Sequence, residues 1–275
     1  MGILLAATIA TLASLILIGG VLLWKSPVAD RKVLLILIVA LLPISPIANS
    51  LIRLPLEQCL KSCAIDDGLI RLFSFLFRPA LEELVKLWPL LIPFVWRTTT
   101  SQTRVWRALA IGLGFGIGEM WMLAEIVFHN EPEIANLGLL PLTGFINERI
   151  MVCVIHGALT AVALNQVLTG FPVSVGLHTA GNLPFFLREI SAVALTEHLW
   201  KVVLQAWVLW YFFAMMVLIF NLAGGDLHAA WLLFGDARCP YCGMVYPRAS
   251  LSWTLQVVHY DHCPRCKAHN PHERS

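Results

Sequence analysis

Residues 79–90 read PALEELVKLWPL, which puts Glu82, Glu83 and Lys86 inside a segment otherwise apolar enough to lie in lipid. A charge at mid-membrane depth costs roughly 2.5–3.5 kcal/mol even on the lenient insertion scale, so all three side chains must face protein or water. Charges held in such a place mark a functional site. On a helix, positions 82 and 86 share a face, which predicts a partial Glu82–Lys86 ion pair and leaves one carboxylate uncompensated as the candidate reactive group.

Around this stretch the chain is uniformly lipid-like. Of its 275 residues 58% are hydrophobic and 13% charged, against about 25% charged in an average soluble domain. Mean hydropathy is +0.76. These values describe an all-α polytopic membrane protein surrounded by lipid bilayer, and the formal net charge of +2 gives no field that would recruit nucleic acid. The first apolar run has no basic residue ahead of it and is long enough to span, so no cleavable signal is expected.

Apolar runs predict seven spans, at about 3–24, 33–52, 72–96, 108–128, 150–168, 173–187 and 199–222, in a transmembrane domain of residues 1–224. Pro43 and Pro46 are expected to kink the second. Residues 53–71 read as an extramembrane loop. Pro79 suits a first-turn position, so the third helix proper would begin there. Gly170 and Pro172 read as a tight connection. Lys25, Arg31 and Lys32 in the first loop and Arg97, Arg104 and Arg107 in the third are basic with almost no acid nearby, which places those loops in the cytoplasm of a bacterial-type membrane. The N-terminus is then outside and the C-terminal tail cytoplasmic.

Further polar residues interrupt the spans: Glu119, His156, His178 and Asn182. Counted from the outer ends of their spans, these and Glu82 lie roughly 8–15 Å deep at about 1.5 Å per residue. Side chains this costly are expected to converge inside the bundle. A carboxylate beside other acids can take a proton from water, and His and Asn side chains can donate hydrogen bonds to a developing oxyanion. Cys153 reads as core, and Glu125 and His129 as interfacial. The same residue types also line ion or solute pathways, so a transporter or a non-catalytic scaffold is the competing reading.

Glu82-Glu83-Leu-Val-Lys86 resembles the EExxK motif of PrsW-type intramembrane proteases, and Phe115-Gly-Ile-Gly-Glu119 resembles their FxxxE motif. His156, and His178-Thr-Ala-Gly-Asn182 as HxxxN, follow in the same order, so the resemblance covers about residues 75–185. The wider group includes the CAAX prenyl endopeptidases and the Abi or CPBP membrane proteins. The resemblance implies a glutamate-dependent endopeptidase acting on a membrane-associated protein or peptide, with no metal required at the active site. Glu82 would be the base that activates water, assisted by Glu119, where CAAX-type relatives carry a histidine. His178 and Asn182 would bind the oxyanion and His156 would be a further site residue. Glu83 would orient or share a proton, with Lys86 holding the pair.

Beyond residue 224 the composition turns polar. Cys239-Pro-Tyr-Cys242 and Cys263-Pro-Arg-Cys266 are two C-x2-C knuckles separated by twenty residues, the spacing of a closed four-thiolate Zn site. Residues 236–270 are therefore expected to form a β-type zinc ribbon whose folding depends on its structural Zn2+. A cytoplasmic tail keeps thiols reduced, which argues against disulfides there. The ribbon's expected role is to bind a cytosolic protein partner or to regulate. Cys59 and Cys63 lie on the opposite side, where helical i, i+4 geometry is poor for a disulfide.

Overall fold

The structure is a computed structural model; it describes residues 1–222 except 27, 64, 100 and 166, and in the tail 236–238, 241–243, 245–247, 260–262, 266 and 269–271. Five helices among the described residues are long and apolar enough to cross a membrane. They are α1 (Gly2–Lys25), α2 (Arg31–Ser62), α5 (Ser101–Asn130), α7 (Thr143–Asn165) and α9 (Glu197–Leu222). Two more helices, α3 (Asp67–Lys86, 20 residues) and α8 (Val167–Glu189, 23 residues), have spanning length. Short helices α4 (Pro93–Thr98) and α6 (Pro132–Ala135) lie in the connections. Ile16, Leu17, Ile36, Leu51 and Phe213 are each more than half exposed on the outside of this bundle. In water that surface would be strongly unfavourable, and in hydrocarbon it is matched, so the chain is an integral multi-pass membrane protein.

Several boundaries differ from those expected. Residues 53–62 are not loop: α2 continues through a π-helical turn at Asn49–Arg53 to Ser62, and Arg53 pairs with Glu57 one turn on at 2.8 Å. Helix α3 begins at Asp67 instead of Pro79, because the Asp66 carboxylate caps it, accepting from the backbone N–H groups of Gly68 (2.9 Å) and Leu69 (3.2 Å). Pro79 lies inside that helix. The helix ends at Lys86, ahead of a 3-10 turn at Trp88–Leu91, since Pro89 cannot continue the ladder; the third apolar run is thus broken before 96. Gly170 and Pro172 lie within α8, where a Cβ on Gly170 would come within 2.2 Å of the Val162 carbonyl oxygen, so the glycine serves helix contact.

Helix α5 is the hub, and its glycines explain why. A Cβ on Gly112 would sit 2.0 Å from the Gly157 nitrogen and one on Gly116 2.9 Å from the Cys153 Cα, both on α7. On the opposite face, a Cβ on Gly114 would meet the Ile38 carbonyl at 2.2 Å and one on Gly118 the Leu42 carbonyl at 2.0 Å, both on α2. Glycines four apart on each of two faces let three backbones come together without lipid between them. Gly112→Ala is expected to push α5 from α7 at a cost of about 1–3 kcal/mol. Thermal unfolding in detergent checks this, and an unchanged Tm contradicts the contact.

Arg107 is not a free loop charge. It is buried and pairs with the Asp30 carboxylate, and its Nη1 donates to the Val95 carbonyl (3.0 Å) and to the Thr98 and Thr99 hydroxyls (2.9 and 3.0 Å). This network ties the first connection to the third, so the two basic loops lie on one side. The N-terminal ammonium donates to the Ala135 carbonyl at 3.1 Å and to Asn136 Oδ1 at 2.8 Å, which puts the chain's start beside the 131–142 connection.

In the tail, strands β1 (Asp236–Arg238) and β2 (Val245–Pro247) pair antiparallel, as do β3 (Tyr260–His262) and β4 (His269–Pro271). In sequence β1 and β2 flank the first C-x2-C knuckle and β3 and β4 the second, and Gly243, just after Cys242, has φ +69°. Cys239 and Cys263 lie outside the described residues.

Candidate active site

Four helices bring the singled-out polar residues together. Residues 78, 82, 83 and 86 recur at helical spacing on α3, Phe115 and Glu119 lie one turn apart on α5, His156 is on α7, and Ser174, His178 and Asn182 follow at intervals of four on α8. Glu82, Glu83, Lys86, Glu119, His156 and His178 are all buried.

The network differs from the simple Glu82–Lys86 pair expected. Lys86, with no exposed surface, donates to Glu83 Oε1 at 2.5 Å and to His156 Nδ1 at 3.2 Å. Glu83 also accepts from the Ser174 hydroxyl at 2.8 Å on Oε2 and faces His178 Nδ1 at 2.7 Å on Oε1. Glu82 Oε1 is held by Arg78 Nε at 2.6 Å, and the Nη2 of the same guanidinium reaches Glu119 Oε1 at 2.6 Å. His156 Nε2 stands 3.0 Å from Glu119 Oε2, and Arg149 Nη1 approaches that oxygen at 3.7 Å. Phe115 closes the base of the cluster, its ring edge-on to His156 with centroids 5.0 Å apart and the Lys86 ammonium 5.4 Å from its face.

Tautomers follow from this network. An ammonium has only hydrogens to give, so His156 Nδ1 accepts from Lys86 and Nε2 carries the proton donated to Glu119. The Glu83 carboxylate, already receiving from Lys86 and Ser174, accepts from His178 Nδ1–H, which leaves His178 Nε2 pointing toward Glu82 Oε2 at 3.6 Å. That Glu82 oxygen is buried and has no hydrogen-bond partner among the described residues. Every other carboxylate oxygen of Glu82, Glu83 and Glu119 is engaged.

A cavity of about 810 Å³ opens on the cluster, with Arg78, Glu119, Arg149, His156, His178 and Asn182 in its wall. Glu82, Glu83 and Lys86 are not part of that wall; Arg78, His178 and His156, which contact them, stand between them and the cavity. The Asn182 side chain makes no hydrogen bond among the described residues and is free to meet a bound group. Glu82, His156 and His178 offer ligand atoms within 4.8 Å of one another, a spacing that could hold a metal ion. An ion there would stand beside the Arg78 guanidinium and would take from Lys86 the lone pair of His156 or from Glu119 its proton, so the donor set suits a proton network better.

Arg78, Arg149 and Ser174 belong to this site and were not singled out as site residues from the sequence. Their spacing carries the signal: Arg78 is four before Glu82, Ser174 four before His178, and Arg149 two turns before His156. Glu125 and His129 are exposed toward the end of α5, and Cys153, read as core, is buried. Comparison of the chain with protein-family models, with curated proteins and with solved structures yields no match, which leaves the cluster's own chemistry as the guide to what it does.

Proposed function

We propose that the protein is a glutamate-dependent intramembrane endopeptidase, hydrolysing a peptide bond of a membrane-associated protein or peptide. The observation that carries this reading is the unpartnered Glu82 Oε2, 3.6 Å from His178 Nε2 beside a polar cavity. A small shift of His178 or Arg78 toward the cavity makes room for one water within hydrogen-bond reach of both atoms. Glu82 takes its proton as the hydroxide adds to the scissile carbonyl, and passes it to the leaving amine as the tetrahedral intermediate collapses. The Asn182 amide donates to the oxyanion, and His178, oriented through Nδ1 by Glu83, donates beside it when Nε2 carries a proton. Glu119, held by His156, assists by fixing the Arg78 guanidinium that positions Glu82. The Arg78 and Lys86 cations already compensate the acids, which favours chemistry without a metal at this site. The ordered match to the PrsW-type motifs supports the same reading.

The membrane topology we propose has seven crossings, with α3 and α8 added to the five long apolar helices. The side-sharing of the basic loops supports a cytoplasmic placement for them and an outside N-terminus. For the tail we propose a structural zinc site of Cys239, Cys242, Cys263 and Cys266 that binds a cytosolic partner; the two knuckle hairpins support it. The test is reconstitution in proteoliposomes with membrane-anchored peptide reporters, with and without chelator. Cleavage that survives chelation, while the tail loses zinc and becomes protease-sensitive, is the expected result. Ion or solute flux without cleavage would instead favour a transporter, the alternative that the same cavity permits.

A further inference from the structure

The hydrolase reading leaves the buried Arg149 on the cavity wall without a task. Arg149 is 9% exposed, yet of the five N–H donors on its guanidinium one makes a hydrogen bond among the described residues, Nη2 to Glu148 Oε1 at 2.5 Å. Nη1 is 3.7 Å from Glu119 Oε2, beyond hydrogen-bond length, and Nε is buried with no partner. Unmade donors on a buried cation are costly, more so than on a neutral group. The fork of Nε and Nη hydrogens matches a carboxylate in two-point contact. Glu148, the one close partner, keeps 34% of its side chain exposed and can turn out toward the cavity mouth.

On this basis, and resting on the hydrolase reading above, we infer that Arg149 is the docking point for a carboxylate of the peptide substrate. The two legs Arg149–Glu119 (3.7 Å) and Glu119–His156 (3.0 Å) share the same oxygen, so the guanidinium lies within about 7 Å of the His156 imidazole. An extended peptide rises roughly 3.3 Å per residue. Glu82 and His178 offer ligand atoms within 4.8 Å of a His156 ring nitrogen, so the recognised carboxylate sits within about three residues of the bond that is cut. It is either an acidic side chain at that position or the free C-terminus of a short trailing segment. Arg149 and His156 are two turns apart on one face of α7, so the anchor is held in fixed relation to the imidazole that positions Glu119. Arg149 is thus a substrate-positioning residue, and its removal should act through KM.

The experiment uses the full-length protein in proteoliposomes and internally quenched apolar peptides. In one series a single Asp is walked through three positions on either side of the cut, each with an Asn counterpart. In the other the same peptides end in a free carboxylate or in an amide. The expected result is at least about a tenfold higher kcat/KM when a carboxylate lies at one of the three positions on one side of the cut, carried by KM. The walked series reports a side chain and the amide series a terminus. Arg149→Gln abolishes the preference, Arg149→Lys restores only part of it because the fork is lost, and Glu148→Gln strengthens it by freeing the guanidinium. Equal rates for Asp and Asn and for acid and amide, or a preference that persists in Arg149→Gln, overturns the inference. Should the wild type cleave no peptide, the hydrolase reading fails. Binding of the labelled peptides to wild type and Arg149→Gln then decides the anchor by itself: an Arg149-dependent preference for the acid sustains it, and equal affinity ends it.

Discussion

Glu82→Gln is expected to slow cleavage of a membrane-anchored reporter by about 10²–10⁴-fold, the usual contribution of a positioned general base. Gln has nearly the shape of Glu and retains a carbonyl oxygen for Arg78, whose Nε now holds Glu82 Oε1 at 2.6 Å, so helix α3 should stay in place. What is lost is a basic oxygen at the Oε2 position facing His178. The measurement is the single-turnover rate of fragment release from purified protein, with Tm recorded beside it. A variant that keeps more than a tenth of wild-type rate would falsify Glu82 as the base. Glu119 would then be the next candidate, since it already lines the cavity, although Arg78 and His156 occupy both its oxygens. Glu83 is a weaker choice for the same reason: Lys86, His178 and Ser174 surround it.

Lys86→Ala should cost about 3–5 kcal/mol of stability, because it leaves the buried Glu83 carboxylate without its ammonium. The 2.5 Å contact to Glu83 and the 3.2 Å contact to His156 are both lost, and with them the orientation of both imidazoles. Activity should fall along with Tm. The double variant Glu83→Gln/Lys86→Met removes both charges and should recover most of the stability, while the His178 that Glu83 orients stays misaligned and inactive. Read by thermal unfolding and by protease resistance in detergent, an unchanged Tm for Lys86→Ala shows that the pair carries no stability. Recovery of activity in the double variant shows that Glu83 has no part in positioning His178.

The acids and imidazoles of the site were legible in the sequence because lipid makes them conspicuous. Glu119, His156 and His178 each stand in an apolar run where nothing but protein or water tolerates them. The pairing among them was not legible. Helical spacing allows Glu82–Lys86, Arg78–Glu82 and Glu83–Lys86 alike, and all are contacts of three or four residues on one helix. The face that α3 turns toward α8 decides among them: Ser174 and His178 engage Glu83, which draws Lys86 with it and leaves Glu82 to Arg78. Helix ends were misplaced for a related reason. Arg53 and Glu57 look like loop residues singly but satisfy each other on one helical turn, and Asp66 caps α3 thirteen residues ahead of the proline expected to start it.

What the amino-acid sequence determined by itself is a lipid-embedded helical bundle carrying a small set of buried acids and imidazoles, because transfer of charge from water into hydrocarbon is a local cost that each residue bears wherever its helix packs. What only the tertiary structure decided is which carboxylate oxygen is left unpaired, which cations hold the others, and that Arg149 joins the cavity wall. Those outcomes depend on how closely α3, α5, α7 and α8 approach and in what rotation, and the glycine contacts of α5 set much of that geometry across residues far apart in the chain.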